Sequence, residues 1–379
     1  MSVDSGLDKE SYMPVINRSL RLVKGRGCYV WDDSGKKYLD CLAGIAVCNT
    51  GHCHPKVVEA ICRQAGELIH TSNLYYPPNQ ETFAKKLVEI TGMSNGSVFM
   101  CNSGAEANEA ALKLARLRTG RNEYIAFVNA FHGRIATPLS VTYKPAIREP
   151  FEPFGPRRSF IEYGDSEALS ETITRKTAAV IVEGVQGEAG VIPAPEGFYR
   201  TIREICDDYG ALMIADEIQT GFGRTGEWFY YQNTDTTPDI VSMAKGIASG
   251  LPMGAIVARE GLSFNKGEHG STFAGGPVVC AAGLATIGVL NELIPDVKRK
   301  GDRFKKNLAK RNPRGLGLMI GIDAGDSCDQ IRESCLSGGL LVNCTGKGTI
   351  RLLPPLIIEN NEIDFASGVI DEAFDKAGL

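Results

Sequence analysis

Lys245 follows the apolar run Ile240–Met243 after a single alanine and precedes Gly246. A lysine at the end of a buried strand is desolvated, so its ammonium sheds a proton more easily and the amine becomes a nucleophile. Asp216 closes a second apolar run, Ala211–Ala215. A carboxylate there needs a cationic partner or must be neutralised. A third run, Val98–Cys101, leads into Asn102-Ser103-Gly104-Ala105 and a helical pattern opening at Glu106. Free N–H groups and the positive end of the dipole at such a helix start suit a phosphate. Taken singly, the helix start has the composition of a plain N-cap, and each charged residue that of half a structural ion pair. Together they suggest pyridoxal phosphate: the lysine takes the aldehyde, the acid keeps the ring nitrogen protonated, and the helix start cups the phosphate.

Residues with these duties must be carried by a sheet, and the hydrophobic pattern supplies one. Val98–Cys101, Tyr124–Val128, Ala178–Val182, Ala211–Ala215, Ile240–Met243 and Ala255–Ala258 read as fully buried strands. Ala107, Ala110, Ala111, Leu114 and Ala115 recur at the helical period, and a second helix is predicted around Tyr199–Tyr209. Alternating strands and helices indicate an α/β fold with a mostly parallel sheet covered on both faces. In such sheets ligands bind outside the carboxyl ends of the strands. That rule adds Phe131-His132-Gly133-Arg134, Glu183, Gln186-Gly187-Glu188, Glu217 and Gln219 to the polar residues of interest. Residues 20–40 read as a hairpin turning at Asp33–Gly35, and the chain beyond about 290 as a mixed α+β stretch. The expected division is an N-terminal segment (1–45) joined to a small domain, a large cofactor-binding domain (46–285) and the C-terminal small domain (286–379).

Composition excludes several classes. Hydrophobic residues make up 43% and charged ones 23% of the 379 residues, ordinary for a packed globular chain. With 45 acidic against 41 basic residues, a net charge of −4 and no basic block, neither nucleic acid nor a membrane is an expected partner. The first residues show no export signal, and the run Val278–Leu290 fits a core helix better than a membrane span. A cytoplasmic protein is therefore expected, its eleven cysteines reduced and mostly buried. His52-Cys53-His54 reads as a turn rather than a metal site, because adjacent residues rarely converge on one ion, and no metal is expected. Gly221-Phe222-Gly223-Arg224-Thr225-Gly226 matches a dinucleotide fingerprint in spacing, but Glu227-Trp228-Phe229 after it does not open a helix. It reads as an irregular loop rich in positive φ angles.

From the Gly27–Asp40 hairpin to the C-terminus the sequence resembles the class III, ornithine-type aminotransferases of pyridoxal phosphate fold type I. The resemblance is carried by Asn102–Ala110, Phe131–Arg134, Val182–Val191, Ala215–Gly226, Met243–Gly246 and Gly270–Phe273, in the family's order. Within the family, His70–Tyr76, Gly339–Thr345 and Ile350–Ile358 are most similar to the acetylornithine branch. Ala274-Gly275-Gly276-Pro277 departs from the Gly-Gly-Asn-Pro or Ala-Gly-Asn-Pro of many relatives, and leaves Thr272 in place.

The resemblance implies a large mostly parallel-sheet domain with a smaller α+β domain. It implies that Lys245 holds the cofactor and moves the substrate proton, and that Asp216 pairs with the ring nitrogen. Phe131 and Ile218 would cover the two ring faces, with His132 beside Phe131, and Gln219 would reach the phenolic oxygen. Ser103, Gly104 and Ala105 would cup the phosphate, and Thr272 would reach the phosphate of the neighbouring subunit in a homodimer. For the substrates, Arg134 would hold the distal carboxylate and Arg351 the near one. Glu188 would pair with Arg351 until 2-oxoglutarate displaces it, or the two would form a fixed salt bridge. Ile45 stands where ornithine enzymes carry a tyrosine, so an acylated amine would be accepted there, and Tyr12 would contact a substrate carboxylate. The expected reaction moves the terminal amine of N2-acetyl-L-ornithine to 2-oxoglutarate. The alternatives are 4-aminobutyrate, ornithine, or a lysine- or succinylornithine-type donor.

Overall fold

The computed structural model describes residues 13, 15 and 19–379; Tyr12 lies outside them. Its centre is a seven-stranded sheet in the order Ser97–Cys101, Gly254–Ala258, Ile240–Met243, Leu212–Asp216, Thr177–Glu183, Glu123–Phe127, Arg157–Ile161. Only Gly254–Ala258 runs against the others, pairing antiparallel with both neighbours. The interior strands are buried along their whole length, as their unbroken apolar runs require. The edge strand Arg157–Ile161 was not among the expected ones. It alternates exposed and partly buried residues, so it lacks the continuous apolar run that marks an interior strand.

Because six strands share one direction, their carboxyl ends deliver Asn102, Phe131, Glu183, Asp216 and Lys245 to one edge. The reversed strand starts at that same edge, which brings Gly250–Met253 there as well. The helix Gly104–Thr119 begins where Ser103 accepts a bond from the Glu106 N–H at 3.2 Å, and Glu106 returns one to Asn102 N–H at 2.9 Å. Ala107, Ala110, Ala111, Leu114 and Ala115 are all buried, and Gly120 ends the helix with φ 69°.

At the N-terminal side, Leu22–Arg26, Tyr29–Asp32 and Lys37–Asp40 form a meander, and Leu340–Leu341 adds a parallel fourth strand. The Asp32 carboxylate makes the predicted turn by accepting from Ser34 N–H at 3.0 Å and Lys36 N–H at 2.9 Å. Beyond residue 307 the chain forms an antiparallel sheet (Arg314–Leu316, Met319–Asp323, Thr349–Leu352, Asn343–Thr345) with helices Cys328–Ser337 and Asn360–Lys376. The run Val278–Leu290 belongs to the helix Pro277–Asn307, which is long and apolar enough to cross a membrane. Here its apolar face packs on helices Pro55–Glu67, Pro78–Thr91 and Asn360–Lys376.

One expectation is corrected. Cys328 and Cys344 are joined by a disulfide, with Cα atoms 6.0 Å apart. The sequence offered no paired spacing to reveal it, because residue 344 meets the helix start at 328 only through the packing of that helix on the strands Asn343–Thr345 and Thr349–Leu352. The other nine cysteines are free. His52 is held by Asp40 at 2.8 Å, and among the described residues no group of His, Cys, Asp or Glu is placed to hold a metal ion.

The glycine-rich loop at 221–226 is irregular as expected, with φ 54° at Phe222, 86° at Gly223 and 93° at Gly226. It carries Arg224, fully buried, which donates to Leu318 O at 2.9 Å, Pro354 O at 2.6 Å and Asn49 Oδ1 at 2.6 Å. Burial pushes its pKa down to about 9, and no carboxylate among the described residues pairs with it. Arg224→Ala strands three buried acceptors and should lower unfolding free energy by about 3 kcal/mol in a urea titration. A loss below ~1 kcal/mol would mean that the acceptors find new partners.

Candidate active site

At the carboxyl edge of the sheet lies a cavity of about 400 Å³. Of the residues singled out in the sequence, Ser103, Gly104, Ala105, Phe131, His132, Arg134, Glu188, Asp216, Ile218, Gln219 and Lys245 line it. Gly104 packs closely on Ile218, where a Cβ would come within 2.9 Å of the isoleucine, so the helix start can approach no nearer with any larger residue. Gly187 likewise leaves room for Gln219 alone.

Asp216 is 4% exposed and its carboxylate is fixed from three sides. Oδ2 receives His132 Nδ1 at 2.7 Å and Asn108 Nδ2 at 2.7 Å, while Oδ1 receives the Ile218 N–H at 3.1 Å. Lys245 has φ 45°, a left-handed conformation uncommon outside glycine, and its side chain faces the cavity. Removal from bulk water pushes its pKa down to about 8. Strained backbone at such a position is held by the packing around it, and it aims the amine.

Glu183 also lines the cavity. It accepts from Phe131 N–H at 3.0 Å and Gly187 N–H at 3.4 Å, and burial pushes its pKa upward. Glu217 faces away and caps the Tyr230 and Tyr231 N–H groups at 2.9 and 3.0 Å.

Arg351 stands behind the wall, fully buried. Its Nη1 donates to Glu188 Oε1 at 2.7 Å, Gly187 O at 3.1 Å and Gln219 Oε1 at 3.2 Å, and its Nε to Asn343 Oδ1 at 3.3 Å. Its Nη2 has no hydrogen-bond partner among the described residues. Burial raises the proton affinity of Glu188, but Arg351 beside it prevails and holds the carboxyl below its usual range. The Glu188 side chain is 38% exposed against 1% for Arg351, so the acid is the movable member of the pair. Arg134 is exposed and lies 5.8 Å from the Phe131 ring centre. Phe131, Arg134 and Glu188 also border an adjoining cavity of about 880 Å³, which includes Lys144, Arg314 and Lys347.

Besides Arg351, two described residues of the expected set lie off the cavity wall. Thr272 is exposed and does not line its own chain's cavity. Ile45 packs against the core, and Val47 lines the cavity in its place. The cause is a left-handed turn, with φ 50°, 66°, 67° and 60° at Ala43, Gly44, Ile45 and Ala46. Each non-glycine residue there costs roughly 1–2 kcal/mol. Asp40 offsets part of that by accepting from Leu42 N–H at 2.8 Å and Ala43 N–H at 2.9 Å. Asn108, Val47 and the Leu251–Met253 segment were not singled out; apart from Asn108's place in a familiar motif, nothing in their residue types signals a site.

An amine of lowered pKa, a carboxylate fixed by donors and a helix start with free N–H groups together fit pyridoxal phosphate. The family model for class-III aminotransferases matches residues 12–374. An acetylornithine aminotransferase of Methanosarcina mazei is 49% identical, over 98% of this chain and 96% of its own. That of Aquifex aeolicus is 43% identical over 93% and 96%. Among solved structures, ornithine aminotransferase from Toxoplasma gondii superimposes with a TM-score of 0.94 at 31% identity, covering 98% of this chain and 94% of that one. Acetylornithine aminotransferase from Elizabethkingia anophelis gives 0.86 at 33% identity, covering 97% of both chains. A family model matched along nearly the whole chain, and relatives that share its length and fold, make this chain a member of the class-III aminotransferases.

Proposed function

We propose that the chain transfers the terminal amino group of N2-acetyl-L-ornithine to 2-oxoglutarate, giving N-acetylglutamate 5-semialdehyde and glutamate, with pyridoxal 5'-phosphate as cofactor. The observation that carries this reading is the Glu188–Arg351 pair at 2.7 Å, a movable acid over a buried arginine. One site must take an amine without a carboxylate near the reacting carbon, and then a dicarboxylate. Glu188 neutralises Arg351 in the first case and withdraws in the second, so the guanidinium is never left buried and unpaired. Arg134, exposed at the border of both cavities, is available for the far carboxylate with two parallel donors.

The bound cofactor supplies an electron sink for charge developing on the substrate carbon. Lys245 presents an amine that accepts and returns the proton at that carbon. Asp216 would face a ring nitrogen and hold its proton, Phe131 and Ile218 would confine the ring, and Ser103, Gly104 and Ala105 would hold the phosphate at the helix start. The small domain assigned to 1–45 and 286–379 is supported by the pairing of Lys37–Asp40 with Leu340–Leu341. A homodimer in which Thr272 serves the neighbouring site is supported by its surroundings: Phe273 is 67%, Leu74 83% and Tyr76 92% exposed. A cytoplasmic place of work accords with biosynthetic relatives of this kind.

Two measurements test these readings. With the cofactor stripped, the rate at which the chain recaptures pyridoxal phosphate should rise with pH up to about 8 and level off above it. An ordinary lysine would keep accelerating to ~10.4. The substrate reading is tested by adding N-acetylornithine, ornithine and 4-aminobutyrate separately to the loaded protein and following loss of the lysine-linked absorbance. N-acetylornithine should react fastest and 2-oxoglutarate should restore the band; a faster reaction with either other amine overturns the donor assignment.

A further inference from the structure

Asn108 lies one turn into the helix whose start lines the cavity at Gly104 and Ala105, and it is fully buried. Its Nδ2 donates to Asp216 Oδ2 at 2.7 Å and to His132 O at 2.8 Å. Both of those atoms only accept, so the amide must turn its nitrogen toward them. Ser242 locks that orientation from the other side, its hydroxyl donating to Asn108 Oδ1 at 2.6 Å. Ser242 lies directly opposite Asp216 on the neighbouring strand, a short step before Lys245. A single amide thus ties the helix at the phosphate end, the strand carrying the acid and the strand leading to the lysine.

We infer that Asn108 is a positioning residue for Asp216: it fixes the rotation of the carboxylate that faces the ring nitrogen. This rests on the cofactor reading above. With Oδ2 occupied by Asn108 and His132, Oδ1 accepts among the described residues only from the Ile218 N–H and has a lone pair to spare for a ring nitrogen. The titratable groups facing Asp216 are His132 after one strand, Glu183 at the end of another, Glu217 next to it, Tyr199, and Lys245 beyond Ser242. Against these the helix contributes a neutral donor, which supports the carboxylate without adding a charge that would compete for Lys245.

The test compares loaded wild type, Asn108→Ala, Asn108→Asp and Ser242→Ala by pH titration of the lysine-linked absorbance, by kcat and KM at saturating cofactor, and by thermal midpoint. In Asn108→Ala the carboxylate is free to rotate, and its bond to the ring nitrogen weakens. A less positive ring withdraws less charge from the lysine nitrogen, so the spectroscopic pKa should rise by ~0.5 unit or more. Turnover should fall roughly 10- to 100-fold, as for loss of one hydrogen bond to a charged group, with both KM values within about threefold. Asn108→Asp, which sets an acceptor against two acceptors, should do worse. Ser242→Ala only frees the amide, so it should shift the pKa the same way by less, and it serves as the probe if Asn108→Ala does not fold. An unshifted pKa in the folded variants, or full recovery of pKa and turnover with excess cofactor, would reduce Asn108 to a packing residue. A wild-type protein with no absorbance band at all would overturn the cofactor reading instead.

Discussion

Lys245→Ala should lose the lysine-linked absorbance and at least roughly ten-thousand-fold in turnover, with every amino donor alike. The reason is local. The native amine faces the cavity from a left-handed backbone position and is desolvated to a pKa of about 8, so it is free base at neutral pH far more often than an exposed lysine. No second lysine lines this cavity to replace it. The fold should survive, because the side chain makes no hydrogen bond or ion pair among the described residues, and thermal unfolding of the stripped proteins checks this. Added alkylamines should restore part of the lost proton transfer while wild type is unaffected. Turnover near the wild-type level in Lys245→Ala would remove the lysine from the mechanism.

Arg351→Ala should separate the two halves of the reaction. The arginine is the buried member of its pair, and its Nη2, which has no partner among the described residues, can donate to one oxygen of an incoming carboxylate. Its loss should lower kcat/KM for 2-oxoglutarate by about 3 kcal/mol or more, over a hundredfold. The half-reaction with N-acetylornithine should fall less than ~tenfold, because there the guanidinium only answers Glu188. Without Arg351, burial of Glu188 is opposed by Lys245 and Gln219 without the guanidinium, so its pKa should climb, which is readable as a new acidic limb in the pH profile. Arg351→Lys keeps the charge but not the paired donors and should fall between. Equal losses in both half-reactions would identify a fixed structural salt bridge rather than an exchange partner for substrate. Together with Lys245→Ala, this contrast tells a residue that every substrate needs from one that serves a dicarboxylate.

Much of the sheet was legible because burial on both faces leaves an unbroken apolar run, and polar residues ending such runs must sit at the ligand-binding edge. Asp216 and Lys245 follow from that rule alone, without any knowledge of relatives. Arg157–Ile161 escaped it because an edge strand is only half covered. Asn108 escaped it because an amide within an alanine-rich helix has no signature of its own until the facing carboxylate is in place. The Cys328–Cys344 bond depends on two segments meeting across a sheet, which spacing in the chain does not encode.

Chain chemistry and periodicity therefore decide which side chains are desolvated and at which edge of the sheet they gather, since both follow from local burial. They do not decide distances between segments far apart in sequence. That Val47 rather than Ile45 reaches the cavity is set by a left-handed turn that Asp40 holds through its two backbone contacts. That Glu188 meets Arg351 at 2.7 Å is set by the packing of the C-terminal sheet against the loop after Glu183. Both arise from contacts that outweigh local backbone preference, and such contacts exist only once the chain is folded.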